Sequence, residues 1–118
     1  MLTPLASKSL RAGQASFAII ASRYNARYVD AMLRAARSEL RRAGAGAIEV
    51  VRVPGAYEVP VVAARLARET HAAQRTFGAI ICLGVILRGQ TTHAAHIGEA
   101  VSRALMDIQL RYEVPVIH

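Results

Sequence analysis

Short apolar runs alternate along the chain with longer stretches in which apolar positions recur every three or four residues, the pattern of βαβ units and a parallel sheet. Phe17-Ala18-Ile19-Ile20-Ala21 is apolar throughout, as a strand buried on both faces is, and reads as the first strand. After Ser22-Arg23-Tyr24-Asn25, the residues Val29, Met32, Leu33, Ala36 and Leu40 share one helical face, while Arg34, Arg37, Arg41 and Arg42 fall mostly on the other. Gly44 and Gly46 are placed to end that helix. Ile48 to Val53 is rich in β-branched residues and reads as a second strand, closed by a tight turn at Pro54-Gly55.

A second helix is expected to open near Pro60, where a missing N–H is tolerated. It carries Val62, Ala63, Leu66 and Ala67 inward and fades by Thr70-His71. Phe77 to Leu87 is the longest and most apolar strand candidate, which predicts a central place in the sheet. A third helix spans about Thr92 to Tyr112, with Ile97, Ala100, Val101, Ala104, Leu105 and Ile108 on one face and Glu99, Arg103, Asp107 and Arg111 on the other. Val114 to Ile117 starts a fourth strand, and no helix follows it. Because α/β sheets are normally covered on both faces, the pattern predicts either a neighbouring subunit over the open face or a natural protein longer than this chain.

Composition narrows the function classes. The 118 residues, 53% of them hydrophobic, suit one compact domain. The longest apolar stretch is about half the roughly 20 residues needed to cross a bilayer, so no membrane partner is expected. Met1 to Gly13 lacks the apolar core of a signal peptide, which predicts a cytoplasmic protein. The single cysteine, Cys82, excludes an intramolecular disulfide and a cysteine-based metal site. Fifteen basic residues, all arginine except Lys8, against eight acidic ones give a net charge of +7 and point to anionic partners. The arginines are spread over several segments and aromatics make up only 5%, which argues against a nucleic-acid interface; a phosphorylated small molecule or a multimer with a basic lining fits instead.

Ligands of a parallel sheet bind at the carboxyl ends of the strands, and three strand-to-helix turns carry unusual residues. Leu87-Arg88-Gly89-Gln90-Thr91-Thr92-His93 combines a glycine, two hydroxyls and a helix start, the parts of a phosphate cradle; the same residues also fit a plain helix cap with a solvated Arg88. It is not a P-loop, which would need a different spacing and a following lysine. His93, in the first helical turn, is suited to carrying protons, though a structural histidine is the commoner case. His96 and Glu99 follow at i+3 and i+6, too far apart on one helix to make a convincing metal site. In Val53-Pro54-Gly55-Ala56-Tyr57-Glu58-Val59-Pro60 the carboxylate can accept hydrogen bonds from a polyhydroxyl ligand, or simply favour the positive end of a helix. In Ser22-Arg23-Tyr24-Asn25 the aromatic ring of Tyr24 can stack on a heterocycle or serve structure alone.

Together, Arg23-Tyr24-Asn25, Val53 to Pro60, Leu83 to His93 and the closing Val114-Pro115-Val116-Ile117 resemble the 6,7-dimethyl-8-ribityllumazine synthase family of riboflavin biosynthesis, in order and spacing, from about Ser16 onward. The resemblance implies a three-layer α/β/α flavodoxin-like domain over residues 1–118, a four-stranded parallel sheet of order 2-1-3-4, and an extended N-terminal arm at 1–14. It implies a transferase that joins 5-amino-6-(D-ribitylamino)uracil to 3,4-dihydroxy-2-butanone 4-phosphate, releasing phosphate and water without metal or organic cofactor. By matching position, Tyr24 stacks on the pyrimidine, Ala56 and Tyr57 present backbone groups to it, Glu58 holds ribityl hydroxyls, and Val85, Ile86 and Leu87 line the pocket. Gln90 and Thr91 bind the butanone phosphate, and His93 carries protons for Schiff-base formation and phosphate elimination. His118 falls where the family places an aromatic from an adjacent subunit.

The family forms pentamers, often packed into icosahedral shells, with sites shared between subunits. It commonly has an aromatic and an acidic residue where this chain has Ala94-Ala95, and it continues past His118 with further helices and a basic residue that reaches a neighbouring phosphate site. These departures favour the alternative reading, a binding or assembly protein of the same fold with little or no turnover. A nucleic-acid-binding domain, with steeply salt-dependent affinity, is a third.

Overall fold

The structure is a computed structural model that describes residues 10–89 and 92–118. Four parallel strands, β1 (Phe17–Ser22), β2 (Ile48–Val53), β3 (Ala79–Leu83) and β4 (Val116–Ile117), form one sheet in the order β2-β1-β3-β4. Between them run α1 (Ala26–Arg42), α2 (Val59–His71) and α3 (His93–Tyr112), with a single 3-10 turn at Ala56–Glu58 before α2. The αβ alternation is the one read from the hydrophobic pattern, and the strand order is the one the family resemblance implies.

Period-two alternation along β1 explains the three layers. Ala18 and Ile20 face α2 and α3, joining Ala63, Leu66, Ala67, Ile80, Cys82 and Leu105 in one cluster. Ile19 and Ala21 face the other way, against Val29 and Leu33 of α1, with Met32, Ala36 and Leu40 partly buried around them. The α1 stripe is therefore the one its three- and four-residue spacing predicts. That helix ends through Gly44, whose φ of +85° suits a residue without Cβ. Gly46 sits where a Cβ would lie 2.5 Å from the Gln14 carbonyl oxygen. Residues 10–14 run beside this helix end, where Ala12 N donates to Ala43 O at 2.7 Å and Gln14 N to Gly44 O at 3.1 Å. Residues 1–9 of the expected arm lie outside the described residues.

Two strands are shorter than their apolar runs. β3 stops at Leu83 rather than Leu87, because its partner β1 supplies its last pair at Ala21 and then turns away. Gly84 passes Ala56 so closely that a Cβ there would stand 3.2 Å from the Ala56 Cβ. β4 keeps only two residues: Pro115 accepts from Ile80 N at 2.9 Å but has no N–H to give, and Val116 N, on the edge away from β3, donates to Gln109 Oε1 at 2.9 Å. The apolar face of α3 is also narrower than its pattern, since only Leu105 is buried while Ala100 is exposed. On the α1 side, Ile81 and Leu83 of β3 pack against the Val29 and Leu33 cluster, but among the described residues no helix covers β4, where Ile117 pairs with Ile81 and is 53% exposed.

Candidate active site

The carboxyl ends of β1, β2 and β3 open into one crevice, and each contributes a turn. The first is fastened to the second: Arg23 N donates to Val53 O at 2.7 Å and Tyr24 N to Pro54 O at 2.9 Å. Beneath them Ser22 is buried, its Oγ 3.4 Å from the Tyr24 carbonyl oxygen. The Tyr24 ring stands out into solvent, 74% exposed. Asn25 precedes α1 in the left-handed region, φ 60° and ψ 41°, a conformation Asn tolerates better than most residues. Its Nδ2 donates to the Val85 carbonyl oxygen at 2.7 Å.

In the second turn the Glu58 carboxylate folds back on its own loop. Oε2 accepts from Gly55 N at 3.0 Å, and Glu58 N donates to Gly55 O at 3.2 Å. A Cβ at position 55 would lie 3.1 Å from that oxygen, so glycine makes room for the carboxylate. Although Glu58 stands at the start of α2, its side chain makes no capping bond to that helix. One backbone N–H occupies only part of what a carboxylate can accept, and Glu58 is exposed, so it keeps acceptor capacity for a ligand.

The third contribution is the irregular segment after β3, with the first turns of α3. Val85, Ile86 and Leu87 face Tyr24, Ala56, Tyr57 and Glu58 across a cavity of about 460 Å³, within the size range of small-molecule sites. His93, the first residue of α3, lines the same space. Eight sequence-predicted site residues thus share one cavity. Gln90 and Thr91, expected to bind phosphate, lie outside the described residues. Thr92 stands at the N-cap of α3 without a side-chain capping bond.

His118 is placed elsewhere. Its Nε2 lies 3.2 Å from Ser102 Oγ, and it lines a separate cavity of about 140 Å³ with Cys82 and Leu105. His96 and Glu99 line a third groove along α3, away from His93, and among the described residues no three His, Cys, Asp or Glu side chains cluster as metal ligands. Cys82 is not a nucleophile here, because burial pushes its thiol up from 9.0 to about 12.

Gly55 and Gly89, the glycines of the two candidate turns, line the main cavity too, and so do three residues the sequence does not mark as site residues: Asn25, Ala94 and Ile97. Asn25 lies inside a quoted motif, but nothing in the sequence tells a turn-former from a wall. Ile97 was counted among core positions of α3, and its period gives no warning that the first turns of that helix overhang the crevice.

The family model for 6,7-dimethyl-8-ribityllumazine synthase matches residues 14–118. A protein of that name from Xanthomonas oryzae pv. oryzae is 46% identical over 111 residues, covering 92% of this chain and 69% of the relative. One from Xanthomonas euvesicatoria pv. vesicatoria is 45% identical over the same coverage, and one from Stenotrophomonas maltophilia is 44% identical over 106 residues, 88% of this chain and 65% of the relative.

Proposed function

The chain belongs to the 6,7-dimethyl-8-ribityllumazine synthase family, and from that premise we propose how its cavity serves the reaction. The protein is a transferase of riboflavin biosynthesis that condenses 5-amino-6-(D-ribitylamino)uracil with 3,4-dihydroxy-2-butanone 4-phosphate, releasing phosphate and water. The observation that carries the site assignment is the convergence of Tyr24, Glu58, the Val85 to Leu87 wall and His93 on one cavity from three separate turns.

In this reading the exposed ring of Tyr24 stacks on the pyrimidine, and backbone groups of Ala56 and Tyr57 read its polar edge. Glu58, held in place through Gly55 N, accepts hydrogen bonds from the ribityl hydroxyls. Gln90 and Thr91 precede α3, where free N–H groups favour an anion, and are assigned to the butanone phosphate. His93, on the cavity wall, moves protons as the Schiff base forms and phosphate leaves. Joining two bound molecules is largely positioning, which contributes ~7–11 kcal/mol, with an acid–base group adding ~10²–10⁴-fold.

The cavity is open, with Tyr24 and Tyr57 74% and 68% exposed, and His118 of the same chain does not line it. That supports a site completed by a neighbouring copy, its His118 closing over Tyr24, in a homo-oligomer that is a pentamer or a shell of pentamers. Among the described residues no helix is long and apolar enough to cross a membrane. The chain's membership of a riboflavin-biosynthesis family supports a place in the cytoplasm. The test is turnover by the 118-residue protein, followed by lumazine fluorescence above the uncatalysed background, with the assembly mass measured alongside by light scattering. Turnover by a pentamer or a multiple of it supports the reading. Substrate binding without turnover favours the non-catalytic alternative.

A further inference from the structure

We propose that Asn25 is a positioning residue, whose side-chain amide holds the Val85 carbonyl and thereby fixes the Val85-Ile86-Leu87 wall opposite Tyr24. The need for such a clamp follows from the sheet. β1 supplies its last pair to β3 at Ala21 and Leu83, so the chain beyond Leu83 leaves the ladder while still forming one side of the cavity. A carbonyl just past the end of a ladder needs a donor from elsewhere. Asn25 Nδ2 provides it at 2.7 Å, across 60 positions of sequence.

The geometry of Asn25 fits this task better than the commoner one. Asn before a helix usually caps it with its side-chain oxygen, yet Asn25 makes no side-chain capping bond. Its backbone is left-handed, at φ 60° and ψ 41°, and its carbonyl still accepts from Tyr28 N and Val29 N. The backbone therefore starts α1 while the side chain is spent across the crevice. Because Tyr24 is the preceding residue, one hydrogen bond couples the exposed ring to the wall facing it. Val85 is partly buried, its side chain packed against the cluster of Ile19, Ala21, Val29 and Leu33, while the described hydrogen bond to its carbonyl comes from Asn25.

Two variants keep the left-handed backbone accessible and remove the donor: Asn25→Asp, isosteric but acceptor-only when ionised, and Asn25→Gly, which has no side chain. The decisive measurement is NMR relaxation in the full chain without ligand. Losing the clamp should lower the backbone order parameters of residues 84–87 from the ~0.85 of rigid backbone toward ~0.6 in both variants, with α2 unchanged. Order parameters indistinguishable from wild type in either folded variant overturn the clamp.

The second readout rests on the function proposed above. KM for the ribitylaminouracil should rise by about ten-fold while kcat stays within about three-fold, because the wall positions a bound ring and takes no part in proton transfer. An unchanged KM overturns the positioning role. Should the wild-type protein fail to turn over, the proposed function falls, and the order parameters alone still decide the clamp.

Discussion

Arg52 reaches from β2 across the end of β1 to Asp30 on α1, its Nη2 2.8 Å from Asp30 Oδ1. The same nitrogen donates to Ser22 O at 3.0 Å, and Nε donates to Ala21 O at 3.2 Å. One guanidinium thus ties together the two strands and the helix that frame the Tyr24 turn. Its side chain is 25% exposed and that of Asp30 42%, so the ion pair is partly screened while the carbonyl contacts are better protected.

Arg52→Met should therefore cost more than Asp30→Asn. The arginine variant takes a donor from the Asp30 carboxylate and from the Ser22 and Ala21 carbonyl oxygens, of which Ala21 keeps its ladder bond to β2, and urea unfolding should show a loss of ~1–3 kcal/mol. Asp30→Asn removes only the half-exposed ion pair and should cost ~0.2–1 kcal/mol. Equal losses would mean that the carbonyl contacts contribute nothing.

His93→Ala is expected to lower kcat by ~10²–10³ while leaving turnover above the uncatalysed rate, because the positioning supplied by the rest of the cavity survives. Steady-state kinetics at saturating concentrations of both substrates isolates the effect. An unchanged kcat would remove His93 from proton transfer.

For Glu58 the two obvious substitutions should separate. Glu58→Gln keeps an oxygen able to accept from Gly55 N, whereas Glu58→Ala loses the loop contact and the ribityl contact together. Since hydrogen bonds to charged groups contribute ~1.5–3 kcal/mol, KM for the ribitylaminouracil should rise by about ten- to a hundred-fold in the alanine variant, with glutamine intermediate. Titration calorimetry with that substrate alone checks the same ordering without turnover. A glutamine variant as weak as alanine would mean that charge, not loop geometry, holds the sugar chain.

The legible parts of this protein were those governed by period and local stereochemistry. The α1 stripe from Val29 to Leu40, the stop at Gly44 and Pro60 in the first turn of α2 needed no tertiary information. The end of β3 was not legible, because Val85 to Leu87 are as apolar as the strand before them. What ends the strand is the departure of β1 at Ser22, a fact about the partner and not the run. Likewise Tyr24, Glu58 and His93 were identifiable as chemistry at strand ends, but the link from Asn25 to Val85 spans 60 positions and leaves no periodic trace. α3 misled in the opposite direction: its apolar face promised a broad core contact, and the fold buries only Leu105.

Cys82 makes a prediction that depends on neither substrate. The thiol lies in the core beside Ile20 and Ile80, and burial raises it from 9.0 to about 12. Below pH 9 it is protonated whether the chain is folded or not, and its full contribution to stability is present. Between pH 9 and about 12 the unfolded chain releases this proton while the folded chain retains it. The folded state then binds more protons, so stability falls as pH rises through that window. Cys82→Ala removes the ionisation and should decline less steeply over the same range, which separates the thiol from the tyrosines that titrate nearby. Native protein at pH 8 should also resist iodoacetamide and label quickly once urea unfolds it, since the thiolate is the reacting species. Rapid labelling of the folded chain at pH 8 would place Cys82 in contact with solvent and remove the basis for the pH effect.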